Sequence, residues 1–368
     1  MKPASLRLLL AALALVGLTA GGALLWRTRA AQAPVAGVPV PEAPLEREPT
    51  QLEPRMLALF APPPGGTKAP EATAPQVELG RLLFFDPRLS KNHDVSCNSC
   101  HVLSAYGVDG KPVSSGHRGQ KGTRNSPTVF HVAGHVAQFW DGRAATLEEQ
   151  ARAPMLNPVE MAMPDEARVV RTLSSIPEYR ALFAQAFPRE RRPLSLDTTA
   201  RALAAFQRTL STRSRFDRYL AGERTALSPS ELRGLHTFVS SGCTTCHDGP
   251  ALGGTSFQKL GLAEEYPGLN DPGRFEVTHD EADLKKFRVP TLRNVARTGP
   301  WFHDGSVPTL AEAVRRMGRY QLARSFTPGE VEDVVAFLES LTGELPPALV
   351  APPVLPPSTP ATPRPDPT

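Results

Sequence analysis

Apolar side chains recur at helical spacing through most of the chain between residues 52 and 345. The clearest stripe follows Thr327-Pro328-Gly329-Glu330, where Val331, Val334, Val335, Leu338 and Leu341 fall on one face. Ser228-Pro229-Ser230-Glu231 carries the same start signal, a hydroxyl cap answered by a carboxylate three residues on, with proline in the first turn. Behind it Leu232, Leu235 and Val239 share a face. Helical periodicity also predicts helices over 166–176, 178–187 and 198–212, the last carrying Leu203, Phe206 and Leu210. Alternating runs of the β type are absent from the sequence. The pattern predicts an all-α body with long ordered loops.

Both ends depart from this pattern. Leu8 to Trp26 is a 19-residue stretch without a charge, flanked by Lys2 and Arg7 and by Arg27 and Arg29. It is long enough to span a bilayer. Residues 1–30 therefore read as a membrane anchor in preference to a cleaved secretory signal, because the small-x-small candidate Ala31-Gln32-Ala33 is followed by Pro34. Residues 31–51 read as a proline-rich linker. Residues 346–368 hold ten prolines and are expected to stay disordered, with no packed element.

The charge balance excludes one class of partner. Between Leu52 and Leu345 there are 35 basic and 33 acidic residues, so nothing favours nucleic acid. The four cysteines carry far more information. All lie in Cys97-Asn98-Ser99-Cys100-His101 and Cys243-Thr244-Thr245-Cys246-His247. Two cysteines one helical turn apart can each bond a haem vinyl group, and the adjoining histidine ligates the iron. A zinc site would need further Cys or His pairs nearby, and a redox dithiol has no use for the histidine. The units therefore predict two covalent c-type haems in two tandem cytochrome c-like domains, 52–222 and 223–345. Thioether attachment takes place beyond the inner membrane, which puts the body in the periplasm.

Each iron then needs a sixth ligand or an open face. Met317 is the only methionine beyond the second haem unit and falls on what reads as a helix-poor segment. It is the expected thioether ligand there, which raises the reduction potential. For the first haem His117, His131 and His135 are all candidates on spacing alone. His131 and His135 otherwise read as surface polar residues, as do His236 and His279.

Several stretches are specific enough to compare with a known family. They include Leu79-Gly80-Arg81-Leu82-Leu83-Phe84-Phe85-Asp86-Pro87-Arg88-Leu89-Ser90, Arg124-Asn125-Ser126-Pro127-Thr128-Val129 and Gln138-Phe139-Trp140-Asp141-Gly142-Arg143. Pro158-Val159-Glu160-Met161, Val289-Pro290-Thr291-Leu292-Arg293-Asn294-Val295 and Phe302-His303-Asp304-Gly305-Ser306 continue the series. In this order, from about Leu52 to Leu341, the chain resembles the bacterial di-haem cytochrome c peroxidases.

The resemblance implies that Cys97, Cys100 and His101 hold a low-potential peroxidatic haem with His117 as its removable ligand. Cys243, Cys246, His247 and Met317 would hold a high-potential haem that accepts electrons from a small cytochrome c or a cupredoxin. Trp140 would lie between the rings. Glu160 and Gln150 would be the distal acid–base and positioning groups for hydrogen peroxide; without the resemblance both read as solvent-facing helix residues. Asn125, with the carbonyls of Thr298 and Pro300, would bind calcium at the seam, and the family suggests a homodimer. Two rivals are a di-haem electron carrier without turnover and a MauG-like enzyme that oxidises a partner protein. The latter proteins place tyrosine where this chain has Met317. No chemistry attaches to His93 or His303.

Overall fold

The computed structural model describes residues 54–60 and 72–368, which belong to one compact unit. The expected anchor and linker, residues 1–30 and 31–51, lie outside the described residues. Among those described, no helix is long and apolar enough to cross a membrane.

The unit is built from helices joined by long loops. In the first half run α1 (Ala74–Phe85), α2 (Leu147–Leu156), α3 (Glu166–Ser174), α4 (Pro177–Ala186) and α5 (Leu196–Gln207). After them come α6 (Arg215–Leu220), α7 (Pro229–Ser240), α8 (Leu310–Leu322) and α9 (Pro328–Ser340). The capping signals do what their spacing requires. Ser228 N–H donates to Glu231 Oε2 at 2.7 Å, and Thr327 N–H donates to Glu330 Oε2 at 2.8 Å. The third predicted helix ends at Gln207 and not at 212, because the Thr209 hydroxyl donates to the Phe206 carbonyl at 2.7 Å and competes with the next backbone bond. One short antiparallel pair, β1 (Phe257–Lys259) with β2 (Lys286–Arg288), departs from the all-α expectation. Three residues per strand are too few for alternation to show in sequence.

Two apolar cores organise the unit. One gathers Leu79, Leu83, Phe84, Tyr179, Phe183, Leu203 and Phe206; the other gathers Phe216, Leu235, Phe238, Val331, Val334, Phe337 and Leu338. At the centre of each, two helices cross in backbone contact. A Cβ on Gly80 of α1 would lie 1.9 Å from the Ala202 carbonyl oxygen of α5 and 2.9 Å from Phe206 Cβ. A Cβ on Gly234 of α7 would lie 1.8 Å from the Asp333 oxygen of α9 and 2.9 Å from Phe337 Cβ. Each half thus pairs an earlier helix with a later one through the same glycine-to-carbonyl contact.

The proline-rich segment 346–368 is the largest departure from expectation. It lies along the first half, with Leu349, Val350 and Leu355 packed against that core. Proline has no N–H to satisfy, so an extended stretch offers mainly carbonyl acceptors. Basic side chains supply the donors: Arg81 Nη2 to the Ala351 oxygen at 2.8 Å and Arg168 Nη2 to the Arg364 oxygen at 3.0 Å. Hydroxyls add Arg88 Nη1 to Ser358 Oγ at 3.1 Å and Thr359 Oγ1 to the Ser175 oxygen at 3.0 Å.

Candidate active site and haem-binding residues

The first Cys-x-x-Cys-His unit forms a single helical turn, Cys97–Cys100, that hands the chain to His101. His101 Nδ1 donates to the Gly107 oxygen at 3.3 Å, which fixes the tautomer and leaves Nε2 with its lone pair. Burial lowers the pKa of His101, so the ring is neutral as a metal ligand must be. The second unit follows the same logic. His247 Nδ1 donates to the Leu252 oxygen at 3.2 Å, and burial pushes this ring down to about 4. Gly253 is required beside it: at φ +130° a Cβ would lie 2.2 Å from the Pro290 oxygen and 3.3 Å from His247 Nδ1. Burial raises Cys97 to about 12 and Cys243 to about 11, opposite to the lowered thiol of a redox dithiol.

A cavity of about 550 Å³ opens over the first unit, lined by Cys97, Cys100, His101, Trp140, Gln150 and Glu160 among others. The chain reaches it by a local device. Thr146 caps α2 by accepting from Glu149 N–H at 3.1 Å, and Gln150 follows on the first turn with its Oε1 buried and unpartnered. At the other end of α2, Asn157 stops the helix. Its Oδ1 accepts from Val159 N–H at 2.9 Å while its Nδ2 donates to Glu160 Oε1 at 2.8 Å. Glu160 thus stands in a turn, and not on a solvent-facing helix. Burial raises its pKa against the opposing effects of Arg143 and Asn157.

His117 is buried at 4% exposure, and its backbone N–H donates to the Glu160 oxygen at 2.7 Å. Its neighbour Gly116 lines the cavity, whereas the imidazole of His117 donates from Nε2 to the Thr368 oxygen at 3.2 Å. Trp140 closes another wall and donates from Nε1 to the Asn125 oxygen at 2.9 Å. It belongs to an apolar cluster with Leu260, Tyr266, Leu269 and Phe287, against which Met317 packs. Met317 lies within α8, so the segment read as helix-poor is helical. Tyr320 is on the same helix, its ring 5.0 Å from that of Tyr266.

The seam holds the remaining candidates. Asn125 is buried and donates from Nδ2 to the Lys111 and Pro112 oxygens at 3.0 and 3.2 Å, which leaves Oδ1 for another partner. Thr298 precedes a cis Gly299–Pro300 peptide of which Pro300 is part. Among the described residues no group of three His, Cys, Asp or Glu gathers as a metal site. His131 and His135 are not surface residues. His131 is 8% exposed and its Nε2 accepts from Thr212 N–H at 3.2 Å. His236 and His279 are exposed as expected. His303 stacks on Phe287 with ring centroids 4.2 Å apart, and its carbonyl accepts from Asn125 N–H at 2.7 Å.

Three residues escaped the sequence reading. Arg124 ties Asp141 in the first half to Asp271 and Glu276 in the second. Arg288 is 3% exposed, lines the cavity, donates from Nε to the Phe139 oxygen at 3.2 Å and leaves Nη1 unpartnered. Lys91 reaches the tail. Arg124 and Arg288 stand in or beside matching motifs, which was the only available signal.

A neutral imidazole directly following a Cys-x-x-Cys turn, its Nδ1 held by a backbone oxygen, found twice, defines a protein of the c-type di-haem class. The comparisons with known proteins refine that class. A sequence model described as di-haem cytochrome c peroxidase matches residues 74–225. The chain is 48% identical over 293 residues to cytochrome c551 peroxidase of Nitrosomonas europaea, covering 79% of this chain and 86% of that protein. It is 48% identical over 295 residues to cytochrome c551 peroxidase of Pseudomonas aeruginosa, covering 79% and 84%. Methylamine utilization protein MauG of Methylorubrum extorquens is 37% identical over 304 residues, with 78% and 84% covered. Among solved structures, a MauG-like protein associated with microbial copper homeostasis matches with a TM-score of 0.71 at 32% identity, covering 80% of this chain and 96% of that one. The chain belongs to the di-haem cytochrome c peroxidase family.

Proposed function

We propose that this protein reduces hydrogen peroxide to water in the periplasm, drawing two electrons from a small cytochrome c or cupredoxin. The observation that carries this reading is the half-buried carboxylate of Glu160 and the unpartnered amide oxygen of Gln150, which line one cavity with Cys97, Cys100 and His101. An electron carrier has no use for a distal acid–base pair.

Haem supplies the redox chemistry when bound. Cys97 and Cys100 would hold the first by thioether bonds, with His101 below it and the unpartnered Arg288 Nη1 available to a haem carboxylate. Cys243, Cys246, His247 and Met317 would hold the second, in the tandem domains 52–222 and 223–345. The repeated glycine crossing supports that division. Glu160 takes the proton from one oxygen of the substrate and returns it to the other as the O–O bond breaks, and the Gln150 amide orients the bound molecule. Two electrons and two protons convert each peroxide to two waters. His117 is the removable ligand whose departure admits the substrate. Trp140 bridges the seam between the two sites, and calcium at Asn125, Thr298 and Pro300 would couple the halves. We also propose the N-terminal anchor and a homodimer.

The MauG-like reading is weaker, because this chain has Met317 where MauG-like proteins place tyrosine. The decisive test is peroxide turnover by the haem-loaded protein, with and without prior one-electron reduction. Turnover that rises on reduction supports the reading. A protein holding both haems but inert to peroxide in either state would overturn it.

A further inference from the structure

The proline-rich tail touches the group that the proposed mechanism needs to move. The Thr368 carbonyl oxygen accepts two hydrogen bonds, from Lys91 Nζ at 2.9 Å and from His117 Nε2 at 3.2 Å. Its position is fixed on both sides. Asp366 N–H donates to the Lys91 oxygen at 3.0 Å, and Asp366 Oδ2 faces Lys91 Nζ at 3.6 Å. Asp366 Oδ1 accepts from Thr368 N–H at 2.9 Å and from its hydroxyl at 2.6 Å. The two donors are themselves held by neighbouring residues of the distal wall. His117 N–H donates to the Glu160 oxygen at 2.7 Å, and Lys91 N–H donates to the Met161 oxygen at 2.8 Å.

Resting on the reading of His117 as a removable ligand, we propose that Lys91, Asp366 and the Thr368 carbonyl form a dock that receives the His117 ring when it is off the first haem. A ring nitrogen that donates its N–H to a carbonyl has no lone pair left for a metal, so docking and ligation through Nε2 exclude one another. The ring here is bonded to the tail through Nε2, while its neighbour Gly116 lines the cavity. A dock that contacts only one of two conformations shifts their ratio by its differential interaction. One hydrogen bond to a held carbonyl changes the open-to-closed ratio by about two- to tenfold. The tail would therefore be a positioning element for the open state.

The test uses the full, haem-loaded chain reduced by one electron per molecule with ascorbate and a mediator. Electron paramagnetic resonance then gives the high-spin and low-spin fractions of the first haem. In D366A the high-spin to low-spin ratio falls about two- to tenfold, and K91A falls with it. The rate of peroxide binding to the half-reduced protein falls in proportion. In H117G, which lacks the mobile ligand, the first haem is high-spin, and adding D366A changes nothing. An unchanged or raised ratio in D366A and K91A overturns the dock. So does a D366A effect that persists in H117G. If H117G leaves the spin state as in the parent, His117 is not the ligand, and the dock falls together with that assignment. Because spin state is read without turnover, failure of the peroxidase reading alone shows separately, as normal spin-state switching without peroxide consumption.

Discussion

Arg124 grips Asp271 with two parallel hydrogen bonds, from Nε and from Nη2, each 2.7 Å long. The same guanidinium reaches Asp141 through Nη1 and Glu276 at 2.8 Å, so one cation gathers three carboxylates across the seam. The fork geometry belongs to arginine alone.

Replacing Arg124 with alanine leaves the buried Asp141 with Arg143 and leaves Asp271 beside His303, without the cation that joins the two carboxylates. The expected loss is about 3 kcal/mol, the lower end for breaking a buried pair. Urea denaturation of the haem-loaded protein measures it, and R124K should recover less than half. Burial alone would raise the Asp271 pKa, but the bonds and charge of Arg124 outweigh it and the net shift is downward. A depressed carboxylate contributes its stability above the unfolded-state pKa and loses it as pH falls through the folded value. The gap between parent and R124A should therefore close toward acid pH; a constant gap would contradict the ion-pair account.

Glu160 behaves oppositely. Its pKa is raised, first by burial, so the proton-accepting form is reached only above the ordinary glutamate range. Peroxide turnover should rise with pH through this shifted value. E160Q should lower kcat by about 10²- to 10⁴-fold and remove that limb of the profile. Because ionising Glu160 opposes burial, E160Q should also unfold at slightly higher urea at neutral pH, with the difference vanishing below the unfolded-state pKa.

Gly234 admits no side chain, with the Asp333 oxygen 1.8 Å from where its Cβ would be. G234A should separate α7 from α9 and destabilise by about 1–3 kcal/mol, and G80A should do the same for α1 and α5. Thermal melts of the two variants check this. A melting temperature equal to the parent would mean the crossings can relax.

Met317 to histidine exchanges a thioether for an imidazole. The second haem's potential should fall by on the order of 100 mV or more, and its far-red methionine–iron absorption band should disappear. Spectroelectrochemical titration of both haems decides it. A drop in the first haem instead would move Met317 to the other site.

Much of this was legible in the chain because the requirement is local. Cys97, Cys100 and His101 must be adjacent to serve one ring, and Ser228 must stand three residues before Glu231 to cap α7. The α5 stop at Gln207 was not legible, since a hydroxyl two residues later decided it. Met317 looked loop-borne because the helix around it is largely polar, with Arg315, Arg316 and Arg319 interrupting the apolar positions that Leu310 and Val314 begin. Long-range partners left no trace: Arg124 finds Asp271 at a separation of 147 residues, and His117 finds Thr368 at 251. The tail was misjudged for a physical reason. Proline content limits the tail to one short helical turn, Pro347–Val350, but it does not stop an acceptor-rich extended segment from lying across a row of arginines.

The paired glycine crossings carry an evolutionary consequence. In each half a helical glycine abuts a carbonyl, and a phenylalanine follows that carbonyl four residues later, Ala202 to Phe206 and Asp333 to Phe337. The same contact in both halves sets the same limit on sequence change: intervening loops can vary, while the point where two backbones touch stays closed to any residue with a Cβ.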